Sequence, residues 1–419
     1  MSELKDEHYL RAVTQMGDTR KIVSNQDIYS KNGIMLVASG VAITSKLYER
    51  LVNHVLLKPL EMSLSADEVV DPEVILGDVQ DLIRKNDKLK KMVDILDKGF
   101  HLSQTISSIQ IPATLAFKLT VAREKYPHIY QRSLSILVMG VYLARCDGMN
   151  LNEERNVATA ALFHDIGLLH INPSLLDPAH VMSSEERRHL YAHPLMAYLL
   201  LREFPELPGC ISDAVLEHHE RMDGRGYPRG LRGGKISRLG QILAVAEVSA
   251  KALDPDSPSG QWEKLEVMLK LNSKQYGGRL IGFLSVLRGG DETDGNPSVN
   301  NPGELSSQVG LVAKLYVDFD QYADIGRGNG IYDFAQTRLT ELRLGLLEAG
   351  FDPHDPEEII QRFADDPECM SDYETLLKET VWQFKALMLD ISRLWPEEAN
   401  SKKSEYAWLD AMEQLLIVV

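Results

Sequence analysis

Residues 157–167 read VATAALFHDIG, and the pair His164-Asp165 near the end of this stretch determines how the rest of the chain is interpreted. Apolar residues recur here at steps of three and four positions, as in Val157, Ala160 and Ala161. That spacing is typical of one face of an amphipathic α-helix. The pattern therefore predicts a helix that ends at His164 and carries a histidine and a carboxylate at its end.

Histidines are concentrated around this pair, because eight of the 12 histidines lie between positions 128 and 219. His193 precedes a proline, and His218-His219 precede Glu220 and a glycine-rich turn. Neutral imidazoles and carboxylates on facing helices suit Zn, Fe, Mn and Ni, and one carboxylate can bridge two ions. Of the remaining four, His128 is considered below, and we interpret the other three as exposed or capping residues: His170, His180 and His189.

Two motifs carry a resemblance to a known family. Residues 164–167, HDIG, match the HDIG of HD phosphohydrolases, and residues 218–231, HHERMDGRGYPRGL, closely resemble the HHExxDGxGYPxGL of the HD-GYP family. His193 follows His164 by 29 positions (193 − 164), which also fits the family. The resemblance covers Tyr126 to Arg288 and implies a helical phosphodiesterase that hydrolyses cyclic di-GMP to pGpG or GMP with one to three divalent ions, Fe or Mn.

The resemblance also implies roles for individual residues. It assigns His164 and Asp165 to catalysis, and it places Glu247 where the family has a ligand aspartate. It further implies a loop that lines the substrate and docks partners. The implied metal ligands are His164, Asp165, His193, His218, His219 and Glu247, and the implied substrate-binding residues are Arg225, Gly226, Tyr227, Pro228 and Arg132.

Two positions depart from the family pattern. Leu168 stands where the family has a lysine that contacts phosphate, and Arg132 stands where it has a first ligand histidine. A guanidinium stays protonated and cannot ligate a cation. In the pocket it would repel one metal, or replace it and hold phosphate instead. His128 lies one helical turn before Arg132 and is the alternative source of the missing ligand.

These departures leave three functional hypotheses. The first is a metal-dependent cyclic di-GMP phosphodiesterase, which we favour. The second is a catalytically impaired signalling module that binds cyclic di-GMP or a protein partner without turnover, and Arg132 and Leu168 support it. The third is an HD phosphohydrolase acting on another nucleotide, and the GYP residues at 226–228 argue against that.

Composition and charge limit the classes of partner and the location that we expect for this protein. The chain has 419 residues and a formal net charge of −16, so it lacks the basic surface that polymeric nucleic acid requires. Its longest apolar run, Leu134 to Ala144, is too short to span a bilayer. Three distant cysteines and a polar N-terminus fit a reducing cytoplasm. We expect a cytoplasmic protein that binds a cyclic dinucleotide, with a signalling partner at the GYP loop and a homodimer as candidate assemblies.

The pattern along the chain predicts a mostly α protein in four parts. Residues 1–90 form a small α+β module, in which Asn32-Gly33 turns a hairpin between two β-prone runs. Residues 91–288 form the all-helical HD-type domain. Residues 289–303 are rich in Gly, Asn, Pro and Asp and form a linker. Residues 304–419 form a C-terminal helical domain.

The C-terminal domain should be dispensable for metal binding, since it carries a single histidine, His354. A chain truncated after Gly303 is expected to keep the metal content of the full chain, measured by elemental analysis of the folded protein. Loss of metal from a truncated chain that remains folded would show that the C-terminal residues complete the site.

Overall fold

The computed structural model describes most of the chain. The described residues are 6–97, 100–177, 180, 182–250, 265, 269, 273–284, 302–322, 328, 330–348, 352–353, 367–399, 401 and 406–417. Contacts within the chain define two compact units, Met1–Ser259 with Lys274–Leu287, and Gly260–Ser273 with Arg288–Val419. The predicted linker lies outside the described residues except for its last two positions, and the predicted domain boundaries stay predictions.

The first unit begins with a small α+β module. Its strands pair as two antiparallel two-stranded sheets, β1 with β4 and β2 with β3. The predicted hairpin is confirmed, because Gly33 turns the chain between β2 and β3 at a φ of +80°. The elements are α1 (Glu7–Met16), β1 (Ile22–Ser24), β2 (Ile28–Tyr29), β3 (Met35–Val37), α2 (Tyr48–Val52) and β4 (Leu64–Ala66).

Among the described residues, the rest of the first unit is mainly helical and packs around one buried helix. That helix, α7, has every residue from Ser133 to Ala144 buried, and it packs against α8 and α12. The apolar run that sequence analysis found too short to cross a bilayer is therefore the core of this unit. The helices are α3 (Pro72–Arg84), α4 (Asp87–Asp97), α5 (Phe100–Ser107), α6 (Ala113–Lys125), α7 (Pro127–Cys146), α8 (Leu151–Phe163), α9 (Ser184–Leu190), α10 (His193–Leu201), α11 (Gly209–Glu217), α12 (Arg238–Ala250), α13 (Ser273–Tyr276) and α14 (Gly278–Leu284).

Helix ends in this unit fall at the chemically important residues. α8 starts at a capping box of Asn150 and Glu153 and stops at Phe163, as the periodicity predicts. A 3₁₀ helix, Ile166–His170, follows directly. A Cβ on Gly167 would lie 2.3 Å from the backbone oxygen of His193, so only glycine lets this turn approach α10 closely. The turn therefore ties the end of α8 to the start of α10.

The second unit is helical in its described residues. Its core includes Phe319 stacked on Tyr332 at 4.7 Å between ring centroids, with the buried Trp408 against both. The helices are α15 (Pro302–Gln321), α16 (Gly330–Glu348), α17 (Pro367–Leu394), α18 (Pro396–Ala399) and α19 (Ala407–Ile417). The predicted fold class is confirmed: a mostly α protein with a small N-terminal α+β module. Among the described helices, none has the length and apolar character needed to cross a membrane.

Candidate metal centre

The predicted ligands come together because three helix ends meet beside a fourth helix, α12. His164 caps the C-terminus of α8 and Asp165 follows it, while His193 is the first residue of α10. His218 caps the C-terminus of α11 and His219 follows. Glu247 lies within α12, whose first turns pack on α11. Residues up to 83 positions apart in sequence (247 − 164) thus face one buried point.

Asp165 lies at the middle of this cluster. Its Oδ2 lies 3.1 Å from His164 Nε2, and its Oδ1 lies 3.2 Å from His193 Nε2 and 3.8 Å from His218 Nε2. Two groups of candidate ligands share this carboxylate. One is Asp165 with His193, His218 and His219, and the other is Asp165 with His164 and Glu247. Within each group the candidate ligand atoms lie within 4.8 Å of one another. One carboxylate thus serves two adjacent groups, as a bridging ligand does.

Three imidazoles are oriented by backbone carbonyl groups that precede them in the chain. The Nδ1 atoms of His164, His193 and His218 lie 2.8, 2.7 and 2.6 Å from the backbone oxygens three residues earlier. A carbonyl only accepts, so Nδ1 carries the proton and donates it there. Each Nε2 is left facing Asp165. This tautomer, fixed by an outer hydrogen bond, is typical of metal-ligating histidines.

Without metal, the electrostatics favour neutral His218 and His219, a protonated His164 and an ionised Asp165. Burial and the neighbouring histidines lower the pKa of His218 to about 3 and that of His219 well below its usual value. Burial opposes charge on His164, but the carboxylates of Asp165 and Glu247 outweigh it and raise its pKa to about 10. Burial opposes ionisation of Asp165 too, yet His164 and His193 hold its pKa well below its usual value. The two carboxylates therefore attract a cation to the point between them.

This donor set fits a divalent metal. His193 Nε2 and His218 Nε2 lie 3.3 Å apart, and each carries a lone pair because its proton is on Nδ1. Two such nitrogens repel at this distance unless a cation lies between them. Imidazole with carboxylate suits Zn, Fe and Mn, so the residues fit the kind of ion that the sequence predicts, without selecting one metal.

Arg132 reaches the same pocket from α7. Its guanidinium forms an ion pair with Glu247 Oε1, while Glu247 Oε2 lies 3.2 Å from His164 Nε2. Burial opposes the charge of Glu247, but Arg132 and His164 lower its pKa to about 2. His128, the alternative ligand, is exposed and belongs to neither group. Leu168, at the position of the family lysine, is buried in the 3₁₀ helix.

The glycine-rich loop lies against the histidines. The Tyr227 ring stacks on His219 with 4.6 Å between centroids and contacts Tyr191 at 4.5 Å. Gly226 is buried, and a Cβ there would lie 2.3 Å from Glu220 Cα. Pro228 is exposed, and Arg225 Nη1 lies 3.7 Å from Asp223 Oδ2. The loop therefore presents Tyr227 to the cluster, and glycine at 226 permits its close approach.

Two buried glutamates that sequence analysis did not single out hold this loop. Glu220 accepts backbone N–H bonds from Arg229 at 2.7 Å and from Leu231 at 2.8 Å. Glu217 accepts from the Ser237 backbone at 2.8 Å and pairs with the Arg229 side chain. Glu220 directly follows the histidine pair, which is the one signal in sequence that marks it. Buried carboxylates need such partners, so both ends of the loop are fixed.

His170 corrects one expectation. It was predicted to be an exposed or capping residue, but its side chain is only 9% exposed and lies within a network of charged side chains. His180 fits the expectation better, because it pairs with Glu186 near the surface.

Comparison with known proteins finds a family model that matches the part of the chain containing the candidate ligands. The family model HD_5, described as an HD domain, matches residues 119–280. The chain is 28% identical over 178 residues to 3'3'-cGAMP-specific phosphodiesterase 1 of Vibrio cholerae, covering 42% of this chain and 41% of that protein. It is 28% identical over 145 residues to the cyclic di-GMP phosphodiesterase PA4108 of Pseudomonas aeruginosa, covering 34% and 35%.

A shorter match has higher identity. The cyclic di-GMP phosphodiesterase response regulator RpfG of Xanthomonas campestris is 36% identical over 105 residues, covering 24% of this chain and 27% of that protein. A solved structure of an HDG"Y"P protein from Bdellovibrio bacteriovorus has a TM-score of 0.36 and 16% identity, covering 64% of this chain and 95% of that one. The chain spans less than half the length of each of the three phosphodiesterases.

Replacing Asp165 by alanine should abolish metal binding, because both ligand groups lose their shared carboxylate. Elemental analysis after purification without added chelator is expected to give less than about a tenth of the wild-type content, since loss of a central ligand removes most of the affinity. His164→Ala should act in the same direction. Asp213→Ala, a carboxylate on α11 outside both groups, is the matched control. Wild-type metal content in folded Asp165→Ala protein would refute the assignment of this site.

Proposed function

We propose that this chain, which belongs to the HD-GYP family, is a metal-dependent phosphodiesterase that hydrolyses a cyclic dinucleotide, with cyclic di-GMP as substrate and pGpG or GMP as products. The observation that carries the proposal is the convergence of five other ligand side chains on Asp165 beside the loop that holds Tyr227. The names of the relatives support a cyclic dinucleotide as the class of substrate. An acidic chain with a local cationic site suits a small phosphorylated ligand better than a nucleic-acid polymer.

Each group of residues has a part in the proposed reaction. His193, His218 and His219 with Asp165 would hold one ion, and His164 with Asp165 and Glu247 would hold another. Bound divalent ions, with Fe and Mn as our candidates, would act as Lewis acids that stabilise negative charge on the phosphate. The backbone hydrogen bonds at Nδ1 keep the imidazoles oriented before substrate arrives. Such preorganisation means that the ligands need not reorient during the reaction.

Arg132 supplies a positive charge from the protein itself. Its side chain is 37% exposed, and we assign this exposed part to contact with a substrate phosphate while the guanidinium pairs with Glu247. Arginine matches phosphate geometry with paired N–H donors. We therefore assign Arg132 to phosphate binding, together with the loop residues Arg225, Gly226, Tyr227 and Pro228 as the substrate-facing and partner-docking surface.

The proposed activity can be measured directly. Metal-free protein reloaded with Mn²⁺ or Fe²⁺ is expected to convert cyclic di-GMP to pGpG or GMP, resolved by chromatography, and EDTA should stop the reaction. A parallel incubation with 3'3'-cGAMP identifies the preferred cyclic dinucleotide. His193→Ala is the negative control. Metal-loaded protein that converts neither compound would contradict the proposal.

A second candidate function rests on the Arg132–Glu247 ion pair. If Glu247 stays paired with Arg132 and does not bind metal, the centre holds fewer ions. The chain then acts as a module that binds a cyclic dinucleotide or a protein partner without turnover. Leu168, buried where the family has a lysine, weighs in the same direction. Binding of cyclic di-GMP without product formation is the result that this candidate requires.

Replacing Arg132 by histidine separates the two candidates. Two unit charges about 4 Å apart interact by roughly 4 kcal/mol at an effective dielectric near 20, and a divalent ion doubles this repulsion. Arg132→His removes the charge and adds a ligand, so under the second candidate metal content and the rate of cyclic di-GMP hydrolysis should both rise severalfold. Under the first candidate, in which Arg132 binds phosphate, metal content should stay at the wild-type value and the KM for cyclic di-GMP should rise. Arg132→Gln removes the charge without adding a strong ligand and should give a smaller increase in metal content. Equal metal content in wild type and Arg132→His would show that Arg132 does not limit metal binding.

A further inference from the structure

A set of ionisable side chains, most of them buried, surrounds His170 at the C-terminal end of the 3₁₀ helix. Lys118 on α6 is 2% exposed, and its Nζ lies 2.6 Å from Glu61 Oε1. The same Nζ lies 3.3 Å from His170 Nε2 and 3.9 Å from the centroid of the Tyr9 ring. His170 Nδ1 lies 2.7 Å from Asp6 Oδ2. We call these five residues the Lys118 network.

The partners determine where the protons lie. An ammonium only donates, so Lys118 donates to His170 Nε2, which must accept. His170 then carries its proton on Nδ1 and donates it to Asp6, while Lys118 also donates to Glu61. Each hydrogen bond in the Lys118 network has a charged donor or acceptor, and such hydrogen bonds are stronger than those between neutral groups. The His170 ring, 5.0 Å from the Tyr9 ring, therefore has both nitrogens bonded.

His170 connects this network to the metal centre through a short piece of backbone. It is the last residue of the 3₁₀ helix that begins directly after Asp165, and Leu168 N–H donates to the Asp165 carbonyl at 2.9 Å. Gly167 of the same helix packs closely on the backbone of His193, since a Cβ there would lie 2.3 Å from the His193 carbonyl oxygen. Asp165 is thus fixed at the start of a turn whose other end is held by Asp6 and Lys118.

We propose that His170, held by Lys118 and Asp6, is a positioning residue for Asp165, and that the N-terminal α+β module thereby supports the metal centre. The proposal rests on the proposed function in that it concerns the same centre. Lys118 comes from α6, but Asp6 precedes α1 and Glu61 lies in the 3₁₀ helix Leu60–Ser63. The module therefore contributes two of the carboxylates that fix the turn. Burying Lys118, Glu61 and His170 costs free energy that apolar side chains of similar volume would not, and a specific geometry of the turn is our explanation for their presence.

The test compares metal affinity with global stability in the full-length chain. His170→Phe keeps a ring against Tyr9 but removes both hydrogen bonds, and it leaves the Lys118–Glu61 pair intact. Its dissociation constant for Mn²⁺, from titration of metal-free protein, is expected to rise roughly tenfold, as for other residues that support metal ligands. Asp6→Asn retains an acceptor oxygen for Nδ1–H, so its affinity should stay within about twofold of wild type by the same measure. His180→Phe, which breaks a His–Glu pair outside the network, should have no effect.

Thermal unfolding in EDTA supplies the second readout. If His170→Phe lowers the unfolding temperature while the Mn²⁺ affinity stays at the wild-type value, the network is a packing feature and the proposal is wrong. Should His170→Phe fail to fold, Asp6→Ala replaces it, because Asp6 is 36% exposed and its loss leaves Lys118 paired. Wild-type protein that binds Mn²⁺ but does not hydrolyse cyclic dinucleotides would refute the proposed function and still leave this comparison valid.

Discussion

The centre depends on the shared carboxylate of Asp165. One oxygen faces His164 and the other faces His193, so the side chain lies between two groups of ligands that come from different helices. An ionised carboxylate at 5% exposure is stable only with positive charge or hydrogen-bond donors close by. The helix ends around it supply imidazoles, and their Nδ1 bonds to the helix backbone prevent those rings from turning away. Packing of α7, α8, α10, α11 and α12 therefore determines the chemistry of the centre.

The sequence predicted much of this arrangement because local patterns carry it. The end of α8 at His164 follows from apolar periodicity, and the position of Arg132 in the pocket agrees with the spacing of the motif. The hairpin around Gly33 follows from turn chemistry. In these cases the deciding residues lie within one element or at a fixed separation from it, so the linear pattern contains the information.

Other features depend on contacts that no linear pattern reports. His170 was interpreted as an exposed or capping residue, yet it pairs with Asp6, which is 164 positions away, and with Lys118, which is 52 positions away. Only tertiary packing brings those charges together. The hydrogen bonds of Glu217 and Glu220 to the loop were missed for a related reason, because backbone N–H groups leave no mark in sequence. Glu247 was predicted as a ligand, but the sequence did not show that one of its oxygens pairs with Arg132.

The ion pair between Arg132 and Glu247 also bears on the order in which the protein is assembled. A buried carboxylate without a partner would oppose folding of the metal-free chain. Here the guanidinium is covalently part of the chain and neutralises Glu247 as soon as α7 and α12 pack together. The ion pair thus removes the cost of an unpaired Glu247 from folding before metal arrives, whereas the facing nitrogens of His193 and His218 are relieved only when a cation binds.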